Sequence, residues 1–175
     1  QLKNIEAQVR DMLIFARGSA PLNKKITYQE MLELISESRH LLMKQYQVEI
    51  DVISHPSDIK VQCHQESLIG AVQNLISNAS KYSPEGSLIR VSLRSEINQV
   101  VIQVEDSGPG IDKSEYQRVF ERFYRIGGDR HTSNVPGCGL GLAISKHIAE
   151  LHDASLKLSL SEQLSGLSVE LVLPI

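Results

Sequence analysis

Asn74 and Asn78 lie four residues apart. They share one face of the helix predicted over 65–81 when it is projected at about 100° per residue, with Lys81 beside them. Two amide oxygens so placed could ligate a hard cation, and the neighbouring ammonium could meet a phosphate. Mg²⁺ takes few protein oxygens and shares the rest among phosphates and waters. The same face also reads as an ordinary solvated surface, since surface helices are polar on one side. Its small residues, Ser67, Gly70, Ala71 and Ser77, leave room for something to sit against it. Further along, Asp106 opens the string Asp106-Ser107-Gly108-Pro109-Gly110, directly after an apolar run. A carboxylate at a strand end accepts a hydrogen bond from an exocyclic amine. Adenine carries such a donor where guanine carries an oxygen, so this position would select adenine. Gly108 and Gly110 permit a tight turn and a close backbone approach, although a plain β-turn needs the same residues.

Two further strings could complete such a site. Gly137-Cys138-Gly139-Leu140-Gly141-Leu142 opens a helix predicted from about Leu140 to Leu151. Unpaired N–H groups at a helix start attract phosphate, and glycines let it come close. The string is neither a GxxxxGK[ST] loop nor a dinucleotide fingerprint after a strand. Phe120-Glu121-Arg122-Phe123-Tyr124-Arg125 sets an arginine between two aromatics and runs into a polar, glycine-containing stretch. It reads either as a helix edge and loop, or as an apolar docking knob beside a mobile lid at about 126–136. In the second case Arg122 or Arg125 would reach a terminal phosphate.

The elements that must position these groups follow from periodicity. Leu2, Ile5, Val9, Met12 and Ala16 recur at gaps of 3, 4, 3 and 4, a heptad seam closed by Gly18 and Pro21. A helix is predicted over 28–46, a half-buried strand over 48–53 and a short partner strand over 59–63. In the helix over 65–81, the stripe Leu68, Val72, Leu75 and Ala79, flanked by Ile69 and Ile76, should meet the core. Strands follow at 88–93 and 100–104, with the turn at 107–110 expected to close that pair. Two more strands are predicted at 156–160 and 167–173. Interleaved helices with several consecutive strands predict an α/β two-layer sandwich with a mixed sheet, preceded by one N-terminal helix.

Composition narrows the field. Hydrophobic residues make up 41% and charged residues 22% of 175 residues, which suits one soluble domain with a real core. A net charge of −3 argues against a general nucleic-acid partner. Cys63 and Cys138 stand far apart, and the six histidines are scattered, so neither a disulfide scaffold nor a zinc site is expected. No apolar run approaches the roughly 18 residues of a membrane span.

Taken in order, these strings closely resemble the catalytic, ATP-binding domain of sensor histidine kinases. That family's N-box resembles NLISNASKYSP (Asn74–Pro84), and its first glycine box resembles DSGPGI (Asp106–Ile111). Its F-box is similar to VFERFYR (Val119–Arg125), and its second glycine box to GCGLGLAISKHI (Gly137–Ile148). The resemblance covers roughly 60–175. DMLIFARG (Asp11–Gly18) more loosely resembles the end of the family's dimerisation domain.

The resemblance implies a Bergerat-type ATP-binding fold with ATP and Mg²⁺ as ligands. Residue by residue, it implies Mg²⁺ ligation by Asn78 with help from Asn74, and phosphate or ribose contacts from Lys81 and Tyr82. Asp106, with Gly108 and Gly110, would recognise adenine. Arg122 would approach the γ-phosphate, and Gly137, Gly139, Leu140 and Gly141 would line the phosphates. Asn74, Lys81 and Arg122 would be the catalytic set. Three departures stand out. Cys138 takes a place usually held by Thr, Ser or Gly, and Asp153 takes one often held by Gly. The last glycine box, near Ser165–Gly166, is degraded.

No histidine has the sequel of the family's H-box, so the phosphoacceptor helix is expected to be absent and the chain to be a fragment. The implied layout is 1–18 as the end of the dimerisation hairpin, 19–27 as linker and 28–175 as the ATP-binding domain. Implied partners are the protein's own dimerisation and phosphoacceptor domain, a second copy in a homodimer, and a response-regulator receiver domain. The implied place is the cytoplasm, including the cytosolic part of an inner-membrane protein. The alternative is a regulatory or anti-sigma serine kinase domain of the same superfamily. A gyrase-type ATPase would need a catalytic Glu where Asn74 stands.

Overall fold

The computed structural model describes residues 24–127 and 139–175. The heptad seam of residues 1–18 lies outside them, as do Gly137, Cys138 and most of the stretch expected to form a lid.

The described chain opens with β1 (Lys24–Thr27), which pairs antiparallel with β3 (Lys60–Cys63) in a small sheet of its own. This corrects two expectations. Residues 24–27 are a strand rather than linker, and β3 takes β1 as partner instead of the strand over 48–53. Ile26, Val61 and Cys63 explain the pairing, because all three are buried beneath it. Burial also pushes the Cys63 thiol up to about 11, as expected for a group whose charged form is poorly solvated.

Thr27 then caps α1 (Tyr28–Tyr46). Its hydroxyl accepts from the Glu30 N–H, while the Glu30 carboxylate accepts from the Thr27 N–H at 2.7 Å. Tyr28 is buried and its hydroxyl donates to the Leu93 carbonyl, tying this helix to the sheet.

The main sheet runs in the order β2-β4-β5-β7-β6, from β2 (Glu49–Ser54), β4 (Leu88–Glu96), β5 (Gln99–Glu105), β6 (Ser155–Leu160) and β7 (Leu167–Pro174). β2 lies parallel to β4 and the other pairs are antiparallel, so the sheet is mixed as expected. A turn at Ile97 and Asn98 joins β4 to β5. The string at 107–110, expected to close that hairpin, instead leaves the far end of β5 and is free to line a site.

Alternation sorts the two faces of the sheet. Ile89, Val91, Leu93, Val100, Ile102, Val104, Leu171 and Leu173 point one way into the core. On the other face, Arg94 donates to Gln103 and Glu170, and Gln103 donates to Ser168. Three helices cover the apolar face: α1, α2 (Gln65–Tyr82) and α3 (Gly141–Leu151). This is the two-layer α/β sandwich expected from the sequence. Among the described residues, no helix is long and apolar enough to cross a membrane.

Candidate nucleotide site

The apolar stripe of α2 is buried as expected, at Leu68, Ile69, Val72, Leu75, Ile76 and Ala79. Ala71, placed beside the Asn74 and Asn78 face by the helical projection, is fully buried with Leu140, Ile144 and Ile148. The Ser145 hydroxyl, also buried, donates to the Ala71 carbonyl. Part of the room left by small residues on α2 is therefore taken by α3 and not by a ligand. This packing is antiparallel, because the end of α2 meets the start of α3.

That meeting assembles the first half of the site. Asn78 lies on α2 one turn before its end, half-buried, and Gly141 sits against its carboxamide. A Cβ built on Gly141 would lie 3.3 Å from Asn78 Nδ2 and 3.4 Å from Oδ1. A side chain there would press on the amide unless Asn78 shifted by a few tenths of an ångström. Asn74 is half-buried one turn earlier on the same face, Lys81 is half-buried and Tyr82 is exposed.

Asp106 forms the second half. It follows β5 and is 6% exposed, so its charge must be met by the protein. Oδ1 accepts from the Gly108 N–H at 2.8 Å and from the Leu167 N–H at 2.9 Å. The main chain is held as well, with Asp106 N–H donating to Leu167 O and Gly166 N–H to Asp106 O. Burial raises the Asp106 carboxyl above its usual range, partly offset by the Leu167 and Gly108 amides. Gly108 packs between Asp106 and the last turn of α2, where a Cβ would lie 2.8 Å from the Tyr82 carbonyl oxygen. Gly110 takes φ +70, and Gly166 lies beneath it.

Gly166 is the functional residue that sequence reasoning missed. A Cβ there would fall 2.7 Å from the Asp106 carbonyl carbon and nearer still to its Oδ1. The degraded glycine box thus keeps a glycine that packs directly against Asp106. The available signal was a Ser-Gly pair immediately before a strand, with Ser165 at φ 65 completing the turn.

The third group joins at Gly139. It has φ +74, and its O accepts from the Phe123 N–H at 3.0 Å. A Cβ on Gly139 would lie 2.7 Å from Tyr124 O and 2.8 Å from Phe123 C. Phe123 itself has φ 65 and is 53% exposed, an uncommon backbone for a bulky residue. Arg122 is exposed beside it, Arg118 stacks on the Tyr124 ring, and the Tyr124 hydroxyl donates to Glu115. Phe120 is half-buried under Lys146. One residue separates Gly139 from Gly141, so the glycine string links the aromatic string to Asn78. Leu140 lies between them and is buried against Ala71. Gly137 lies outside the described residues.

Comparison with known proteins places this geometry. The sensor-like histidine kinase SenX3 of Mycobacterium tuberculosis is 43% identical over 120 residues, 68% of this chain and 28% of that protein. The sensor protein kinase PmrB of Pseudomonas aeruginosa is 37% identical over 126 residues, 67% of this chain and 26% of that protein. The chain thus spans little more than a quarter of these relatives. Among solved structures, the mycobacterial sensor histidine kinase MprB superposes with a TM-score of 0.73 at 31% identity, over 86% of this chain and 97% of that one. Residues 63–175, which hold every contact just described around Asn78, Asp106 and Gly139, match one family over their whole length. The chain belongs to the histidine kinase-, DNA gyrase B- and HSP90-like ATPase family.

Proposed function

We propose that this chain is the phosphoryl-donor part of a sensor histidine kinase: it binds Mg-ATP and presents the γ-phosphate to a histidine on a dimerisation helix. The observation that carries this reading is the buried Asp106, whose Oδ1 is saturated by two amides. Oδ2 is left to accept from the exocyclic amine of adenine. GTP offers no donor there and would set an oxygen against a buried carboxylate, a costly pairing.

The metal assignment fits the donor set. Among the described residues no group of three or more His, Cys, Asp or Glu could hold a metal ion. The amide oxygens of Asn78 and Asn74 then serve as the protein's share, which suits an ion that draws most ligands from phosphates and water. When bound, Mg²⁺ would neutralise charge on the phosphates. The chain's own groups do the rest: Gly139 to Gly141 bring backbone close to the phosphates, Lys81 and Arg122 add positive charge, and Tyr82 borders the ribose side. Nucleophile and base come from the partner helix. Holding that helix in place can be worth about 7–11 kcal/mol of barrier.

The homodimer, the response-regulator partner and a cytoplasmic position belong to this reading of the whole protein. Binding titrations with Mg-ATP and Mg-GTP provide the test. ATP should bind and GTP should not, and the chain alone should not label itself with γ-phosphate. Adding a separate polypeptide that carries the dimerisation helices and their histidine should give acid-labile, base-stable label on that partner. Equal binding of the two nucleotides, or phosphohistidine on this chain alone, would overturn the reading.

A further inference from the structure

At the end of α3 farthest from the proposed phosphates, His152 is 4% exposed, and both its ring nitrogens are engaged. Nδ1 lies 2.7 Å from the Ile148 carbonyl, and Nε2 accepts from the His64 main-chain N–H at 3.0 Å. A carbonyl only accepts and an amide only donates, so the ring must be neutral with its proton on Nδ1. The backbone around it is closed by a Schellman turn. Ala154 N–H donates to Ala149 O, Asp153 N–H donates to Glu150 O, and Asp153 takes φ 52. His64 is the N-cap of α2, its Nδ1 accepting from the Ser67 N–H. The two helices are thus joined at both ends: by His152 on His64 at one, and by Gly141 on Asn78 at the other.

We infer that His152 is a positioning residue for nucleotide binding, which sets where Gly141 lies against Asn78 by fixing α3 along α2. It touches no substrate and acts through the helix pair. A Cβ at Gly141 would stand 3.3 Å from Asn78 Nδ2, so the position of α3 sets the space that the missing side chain leaves beside that amide. A shift of α3 along α2 would move the glycine string relative to the proposed metal ligand. Interior packing transmits such a shift, since Ala71, Ile144 and Ile148 interdigitate between the two ends. The inference rests on the reading of Asn78 and Gly141 as ligand-binding residues.

Two substitutions separate the two ring contacts. In His152→Asn the amide can reach Ile148 O but not His64 N–H, whereas in His152→Gln the side-chain oxygen reaches toward His64 N–H. Mg-ATP affinity should fall about tenfold in His152→Asn, the scale of one orphaned amide, and recover to within about threefold in His152→Gln. In parallel, ¹⁵N spectra of the parent should show a protonated Nδ1 and an unprotonated Nε2. Without nucleotide, the Asn78 carboxamide and Gly141 amide signals should move in His152→Asn and return in His152→Gln. Those spectra keep the inference separate from the ATP assignment, because they report the helix pair even if no nucleotide binds. Unmoved Asn78 and Gly141 signals in a folded His152→Asn, or a parent ring protonated on Nε2, would overturn it. Should His152→Asn not fold, the parent tautomer and the affinity of His152→Gln decide, and a Gln variant at least tenfold weaker than the parent would count against it.

Discussion

Asp106 and Phe123 belong to different parts of the candidate site and are held in different ways. Asp106 is buried, its carboxylate and main chain are bonded on both sides, and two glycines leave it no freedom to shift. Phe123 is half exposed in a left-handed backbone, at the end of two short 3₁₀ turns (Lys113–Glu115 and Arg118–Phe120), tethered to Gly139 by one main-chain hydrogen bond. Recognition of a base rewards a pocket built before the ligand arrives, because ordering costs have been met in folding. Presenting a phosphoryl group to another domain needs exposed surface instead. On the proposed reading, adenine selection belongs to the β5–β7 end and partner contact to the aromatic end.

The sharpest way to break this contrast is Gly166→Ala. Its methyl would overlap Asp106, so the fold should lose about 3 kcal/mol, the upper end for overpacking, and ATP binding should vanish. Urea midpoints and nucleotide titration would register both. A stable, ATP-binding variant would show that the adenine end is far looser than its contacts.

Asp106→Asn comes next. Its Oδ1 can still accept from Gly108 and Leu167 while its NH₂ faces the adenine amine, so ATP affinity should drop by about 1.5–3 kcal/mol without loss of the fold. The same pair of proteins makes a prediction about pH. The folded Asp106 carboxyl is raised above its unfolded value, so its contribution to stability is present below the usual Asp range, near about 4, and is lost as pH rises through the folded value. The parent should therefore lose stability relative to Asp106→Asn as pH rises from that range. A constant difference between their denaturation midpoints would show that desolvation of the charge is fully compensated.

Gly139→Ala tests the other end more gently. A left-handed backbone costs a residue with a side chain about 1–2 kcal/mol, and the methyl would press on Phe123 and Tyr124. Phosphoryl transfer to the separate histidine-bearing helices should fall more than ATP affinity does. Equal losses in both would mean that the two ends are not separable. Smallest in stability is Phe123→Ala, expected to stay within about 0.5 kcal/mol of the parent because the ring is largely exposed. Its ATP affinity should be unchanged while transfer slows, as kinetics with the same helices would reveal.

Much of this was legible in the residues themselves. The apolar stripe of α2 has a period that only a helix satisfies, so its element type and its buried face could both be assigned, and the β-rich runs gave the strands without their faces. The turn chemistry of Asp106 to Gly110 and the helix start at Gly139 to Gly141 were equally local. Asp153 could be expected to accept the left-handed backbone that its φ of 52 displays.

What the tertiary structure decided was every relation between distant segments. Nothing in Lys24–Thr27 marks it as the partner of Lys60–Cys63, because four residues carry too little pattern to specify a pairing. Ala71 looked like open space and proved to be the seat of α3, since a small side chain serves a ligand and a packed helix equally well. Gly166 looked like a worn motif until Asp106 was found against it, and His152 like one scattered histidine until His64 closed on its ring. Local periodicity determines which face of an element is buried. Which other element buries it depends on the fit of whole surfaces, and that is settled only when the chain closes on itself.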